Sequence, residues 1–241
     1  MSNLSVNFST RSPLFPLQKE AQGVTAKTIT SQDVNSSNFS GDIALVGANG
    51  QSVRLDIAKY DAGTTPETTL DANGTPVETG HSVADARMAL GASVKLPVSP
   101  QINVAARANY YGLEVGANKE SSLGIDAGVQ LNVGDLSASL TQANIISTES
   151  AISLEKTLKG NVGYKMGNIT ALGSVEIEST NTKIGAGLLW EAAPNLSVIG
   201  SLSSNGIEAG VDYKINEFGI TYQMSMNDMS NQSAVGLSYK F

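Results

Sequence analysis

Between Ala84 and Leu96 the chain alternates: Ala84, Ala86, Met88, Leu90, Ala92, Val94 and Leu96 fall on one face, and Asp85, Arg87, Ser93 and Lys95 on the other. Successive side chains of an extended strand point to opposite sides, so this period of two predicts a strand with one greasy and one wet face. The next segment repeats it, with Ile102, Val104, Ala106, Ala108 and Tyr110 against Gln101, Asn103, Arg107 and Asn109, after a turn at Pro97 to Pro100. No helical period competes. Further strands are predicted near 122–133, 136–144, 150–166, 169–178, 182–191, 196–203, 206–214, 217–225 and 233–241. A hairpin over 39–60, turning at Asn49-Gly50, precedes them.

If consecutive strands pair, the connections alternate between two kinds. One set is uniformly short: Asn49-Gly50, Pro97 to Pro100, Gly134-Asp135, Gly167-Asn168, Ala193-Pro194-Asn195 and Ile215-Asn216. The other is more variable and includes Thr64 to Ser82, Gly116 to Ser121, Ile145 to Glu149 and Met226 to Gln232. Short turns at one end and longer loops at the other are expected of a transmembrane antiparallel up-and-down β-barrel. Such barrels have even strand numbers, so the all-β reading is about 14 strands, with Gln22 to Ser31 as the first, and 12 as the alternative. Residues 1–38 then hold an N-terminal arm or plug together with that first strand, and 39–241 the barrel.

Composition is compatible with this. No run of roughly eighteen apolar residues exists, which excludes a spanning helix, whereas a spanning strand needs only about ten residues with every second one apolar. Charged residues make up 15% of the chain and they sort by face. The apolar faces carry only Lys59 and Lys156, each toward the long-loop rim, where a lysine can extend its ammonium into the headgroups. The opposite faces carry Arg54, Asp56, Asp85, Arg87, Arg107, Asp126, Glu155, Glu176, Glu178, Glu208 and Asp212. Aromatic residues fall at strand ends, with Tyr164, Trp190, Tyr213, Phe218, Tyr239 and Phe241 near the short-turn rim and Tyr60, Tyr110 and Tyr222 near the other. Two sparse interfacial girdles are the expectation.

The chain ends on a strand, Ala234 to Phe241, with Val235, Leu237, Tyr239 and Phe241 on the apolar face. This strand resembles the C-terminal insertion signal of Gram-negative outer-membrane β-barrel (porin-like) proteins, an alternating strand ending in an aromatic residue. The turn from Ala192 to Ser197 also resembles periplasmic turns of that family. The resemblance implies a bacterial outer membrane, a final strand read by the barrel-assembly machinery, and closure of that strand against the first. The N-terminus, Met1 to Val6, lacks a basic region followed by an apolar stretch, so the sequence reads as a mature exported chain without its signal peptide.

Residue chemistry gives little support to an enzyme. His81 stands alone beside Gly80 and Ser82 in the long loop, and no Ser or Asp partner can be assigned to it from spacing. Gly185-Ala186-Gly187 lies inside a strand with no helix after it, unlike a dinucleotide fingerprint. Asp71, Asn73 and Glu78 match no calcium-loop spacing and read as an acidic surface loop. The absence of cysteine removes disulfides and thiol chemistry, and a net charge of −7 argues against nucleic acid. No catalytic residue, metal or cofactor is predicted.

What remains is the polar row. Arg54, Asp56, Asp85, Arg87, Arg107, Asp126, Glu155, Glu176, Glu208 and Asp212 would line the barrel interior, where charged rings select ions and polar solutes. The expected partners are the lipid bilayer and small polar solutes, and the expected activity is a monomeric channel for passive diffusion of small hydrophilic solutes or ions. Two alternatives stay open: a structural or adhesive outer-membrane barrel whose loop at 64–82 binds a partner, and a soluble secreted β-sandwich.

Overall fold

The computed structural model describes residues 23–31, 37–71, 75–116, 118–148, 152, 154–204, 206–227 and 231–240. They form fourteen antiparallel strands in one closed barrel, each strand bonded to its neighbours in chain order and the first bonded to the last. In chain order the strands are β1 (Gly23–Ser31), β2 (Ser37–Val46), β3 (Ser52–Leu70), β4 (Pro76–Pro97), β5 (Ile102–Val115), β6 (Asn118–Val133) and β7 (Leu136–Ser147). They continue with β8 (Thr157–Met166), β9 (Ile169–Ile177), β10 (Thr182–Ala193), β11 (Leu196–Ser203), β12 (Gly206–Ile215), β13 (Phe218–Asn227) and β14 (Asn231–Lys240). A single closed ring is not a sandwich of two sheets, which removes the β-sandwich alternative, and the count is fourteen rather than twelve.

β1 falls inside the segment 1–38, so the ring begins at Gly23. Its pairing with β14 runs without a shift from Gly23↔Lys240 to Ser31↔Gln232, which places both ends of the ring at the short-turn rim. Phe241 and residues 1–22 lie outside the described residues.

Alternation decides which way each side chain faces. On β3, Val53, Leu55 and Ile57 are exposed to the outside, while Ser52, Asp56 and Ala58 between them are buried within the ring. The same inversion runs around the barrel, so the largest apolar side chains form an outer belt and the polar ones face inward. In water that would be an inside-out protein. In hydrocarbon it is the stable arrangement, because a closed ring satisfies every backbone N–H and C=O internally and offers lipid an apolar surface.

The wall is uneven in height. β3 and β4 run to 19 and 22 residues, whereas β8 to β14 have 8 to 12. The sequence reads Thr64 to Ser82 as a long loop. Instead β3 and β4 continue as a paired ribbon to Leu70↔Pro76, with register shifts between Asp61 and Thr64 and between Pro66 and Thr68. Threonines and valine supply extended-chain propensity there, and Asp71 closes the tip by accepting the Thr75 N–H at 2.8 Å. Asn73 lies outside the described residues.

Val211, at the middle of β12 and facing outward, tests the inverted arrangement. Val211→Arg should destabilise the barrel by about 2–4 kcal/mol in chemical unfolding from lipid vesicles, whereas inward Ser201→Arg on the adjacent strand should cost far less. Equal costs at the two positions would contradict the assignment of faces.

Candidate functional site: the barrel interior

Fourteen strands about 4.8 Å apart and tilted by about 40° make a ring roughly 28 Å across between backbones, more than inward side chains can fill. The two halves of this interior are built differently.

Along β2 to β6 the inward side chains pack into a polar layer. Arg107 is only 6% exposed, and its Nε stands 3.7 Å from Asp56 Oδ1, with Asp56 itself buried. Arg54 Nε lies 3.7 Å from Asp42 Oδ2 on the adjoining strand. Asn109 donates through Nδ2 to Asp126 Oδ2 at 2.8 Å, and the other oxygen of Asp126 accepts the backbone N–H of Asn144 at 2.9 Å. Asn144 sits where the register of β6 and β7 shifts, with φ of 52°. Asparagine tolerates that left-handed backbone better than most residues, so sequence and strain agree. Arg87 stacks over the ring of Tyr60 at 5.4 Å from its centroid.

A strap from the β7–β8 connection lies on this layer. Asn144 Nδ2 donates to the Glu155 carbonyl at 2.8 Å, and Thr157 at the start of β8 is buried. Leu154 packs on inward Ala58, Ala89 and Tyr111, and Ile152 is 5% exposed. Gly124 makes this approach possible, since a Cβ there would stand 3.2 Å from Leu154 Cδ1 and 2.5 Å from Asn144 Oδ1. The connection therefore occupies part of the interior on the β3–β6 side.

Along β8 to β13 the inward groups stand apart and exposed. Lys159 pairs with Glu176 at 3.0 Å, Lys183 with Glu178 at 2.6 Å, Lys165 with Glu191 at 3.0 Å and Lys214 with Asp212 at 3.3 Å. Asp212 also accepts the Thr221 hydroxyl at 2.9 Å. Lys27 on β1 donates to Gln223 Oε1 at 2.5 Å. These pairs are half-buried or exposed, so each contributes little to stability and its members remain available to a passing ion or solute. Leu172, Leu189 and Ile199 interrupt this wall nearer the short-turn rim, where they stand opposite inward Gly163, Thr170 and Gly210 respectively.

The structure places Arg54, Asp56, Arg87, Arg107, Asp126, Glu176, Glu208 and Asp212 on inward faces, distributed between the packed layer and the open wall. The Asp85 side chain lies outside what is described. Glu155 is not on a strand. The sequence predicts a strand over 150–166, but β8 begins at Thr157, and Glu155 and Lys156 belong to the connection. Ile152 and Leu154 alternate as an outer face would, yet Leu154 packs on the inner wall and Ile152 is buried.

The girdle needs one correction. Tyr164, Trp190, Tyr213 and Phe218 face outward near the short-turn rim, with the rings of Phe218 and Tyr239 tilted against each other at 5.0 Å, and Tyr110 faces outward on β5. Tyr60 faces inward by alternation, on the same side as Asp56 and Ala58, where the guanidinium of Arg87 covers its ring. His81 is on β4 within the protruding ribbon, its backbone N–H bonded to Thr79 Oγ1 at 3.3 Å. The inward lysines, Lys27, Lys95, Lys159, Lys165, Lys183 and Lys214, are absent from the sequence-predicted set. Strict alternation from Arg87 and Asp212 would have found Lys95 and Lys214, which share their strands.

Asp126 holds two donors and through Asn144 the strap. Asp126→Ala leaves both donors unsatisfied and should cost about 2–3 kcal/mol in vesicle unfolding measurements. Asn161→Ala, on the open wall, should cost less than about 0.5 kcal/mol.

No protein-family model matches the chain, and no curated protein does. Among solved structures it is similar to the KdgM porin, at 11% identity and a TM-score of 0.47 over 91% of this chain and 99% of that one. It is similar to the KdgM porin in complex with disordered oligogalacturonate at 12% identity and a TM-score of 0.46, over 91% and 99%. A multiply substituted Rh. blastica porin follows at 10% identity and 0.45, over 92% and 99%.

Proposed function

We propose that this chain spans a bacterial outer membrane as a porin-like channel and passes small hydrophilic solutes or ions by passive diffusion, with no chemical step. One observation carries this reading: the inward ionic residues of β8 to β13 stand exposed inside a closed ring whose outer surface is apolar. Buried charge without water costs several kcal/mol per ion, so an ionic row left open in the middle of such a ring implies a water-filled path. The packed β2–β6 layer and the strap on it narrow that path without closing it. Acidic and basic groups alternate along the open wall, which supports weak ion preference.

The barrel acts as a monomer in this reading, with lipid against its belt, and the strand from Ala234 to Phe241 serves as the signal to the barrel-assembly machinery. A second reading has a specific observation behind it. The ribbon formed by the ends of β3 and β4 rises above the rest of the wall, as a partner-binding element of an adhesive or structural barrel would.

Planar-bilayer conductance separates the two. The channel should give steady current steps that persist when 64–82 is deleted. Leu154→Asp, which sets a carboxylate against Ala58, Ala89 and Tyr111, should release the strap and raise the conductance. Lys159→Glu combined with Lys183→Glu should shift the reversal potential toward cations. A bilayer that takes up the protein and stays silent would overturn the channel and favour the second reading.

A further inference from the structure

The outer belt has a hollow. Across β1 to β6 the outward face sinks into an apolar concavity of about 620 Å³. Register explains its shape. Ala26 pairs with Gly41 in one row, and Ala92 pairs with Ala108 in the next, so small side chains make the floor. Phe39 stands at one side and Tyr110 with Leu123 at the other. Because the strands tilt by about 40°, a hydrocarbon chain lying along the membrane normal crosses several of them, as this hollow does.

Above the hollow stands Lys59. It is directly opposite Phe39 in the β2–β3 register and two residues beyond Ile57, which lines the hollow, on the side of the long loops. It is exposed and faces outward, and among the described residues no acid forms a salt bridge with it. Asp61 is the next outward residue and stands a step further toward water. A flexible cation directly over an apolar trough matches an amphiphile with an anionic head and a hydrocarbon tail.

We propose that this face binds one lipid with a net-anionic phosphate head group from the leaflet on the long-loop side, with its phosphate on Lys59 and an acyl chain in the hollow. This rests on the membrane-spanning reading above. A second copy of the chain fits less well, since burying the hollow against protein would also desolvate Lys59.

Native mass spectrometry of the full chain in detergent, with phosphatidylglycerol or phosphatidylcholine of identical acyl chains added, tests the assignment. One phosphatidylglycerol should be retained per barrel with about fivefold preference over phosphatidylcholine, the scale expected for one lysine at a membrane surface. Lys59→Gln should abolish the preference while leaving weak retention of both lipids. Ala92→Leu with Ala108→Leu, an apolar change on a lipid-facing surface, should remove retention of both. Unchanged bilayer conductance in these variants shows that the barrel is intact, and a silent wild type would implicate the channel reading instead. Equal retention of the two lipids by the wild type, an unaltered preference in Lys59→Gln, retention that survives filling of the hollow, or a dimer mass that the filled variant loses would each overturn the proposal.

Discussion

When β1 pairs with β14 from Gly23↔Lys240 to Ser31↔Gln232, the sheet loses its last two edges. An edge strand exposes a row of unpaired amides and carbonyls, tolerable in water and prohibitive in hydrocarbon. Closure is therefore what allows the outer face to be made of Val, Leu and Ile without a soluble core behind it. It also fixes the interior, since every residue between two outward ones must point into the ring.

The interior is not uniform, and the difference follows from side-chain size and from one asparagine. On β3 to β6, small residues such as Ala58, Ala89 and Gly124 leave room that the strap fills with Leu154, while Asn144 at the β6–β7 register shift ties the strap to Asp126. On β8 to β13 no connection folds back among the described residues, and the lysine–carboxylate pairs face open space. The same wall that is packed inside carries the apolar hollow outside, because small residues on β1 to β5 recur on both faces.

The alternation that made the fold legible also set its limits. Period two located most strands and the short turns, and the strand count from Gln22 onward gave the even number that the closed ring has. It failed where a second kind of apolar partner existed. Ile152 and Leu154 carry the pattern of an outer face, and nothing local distinguishes lipid from the inner wall as the partner of Leu154, so the pattern extends over Glu155 and Lys156 a strand that begins only at Thr157. Tyr60 reads as a rim aromatic from its place near the strand end, yet its parity with Arg54 and Asp56 already turns it inward, where Arg87 lies over its ring. The ribbon over 64–82 has the Thr, Gly and Pro content of a loop, and pairing between its two halves overrides that composition. The inward lysines are a different matter: Lys95 and Lys214 share the parity of Arg87 and Asp212 on their own strands, and that parity is readable in the sequence.

Because the chain contains no cysteine, single cysteines can be introduced one at a time along β12 from Ile207 to Lys214 and their reactivity followed with a membrane-impermeant maleimide in lipid vesicles. A closed barrel with a wet lumen predicts a reactivity period of two, with 208, 210, 212 and 214 labelled and 207, 209, 211 and 213 protected by lipid. Uniform labelling of both sets, or protection of the inward set, would contradict the central claim.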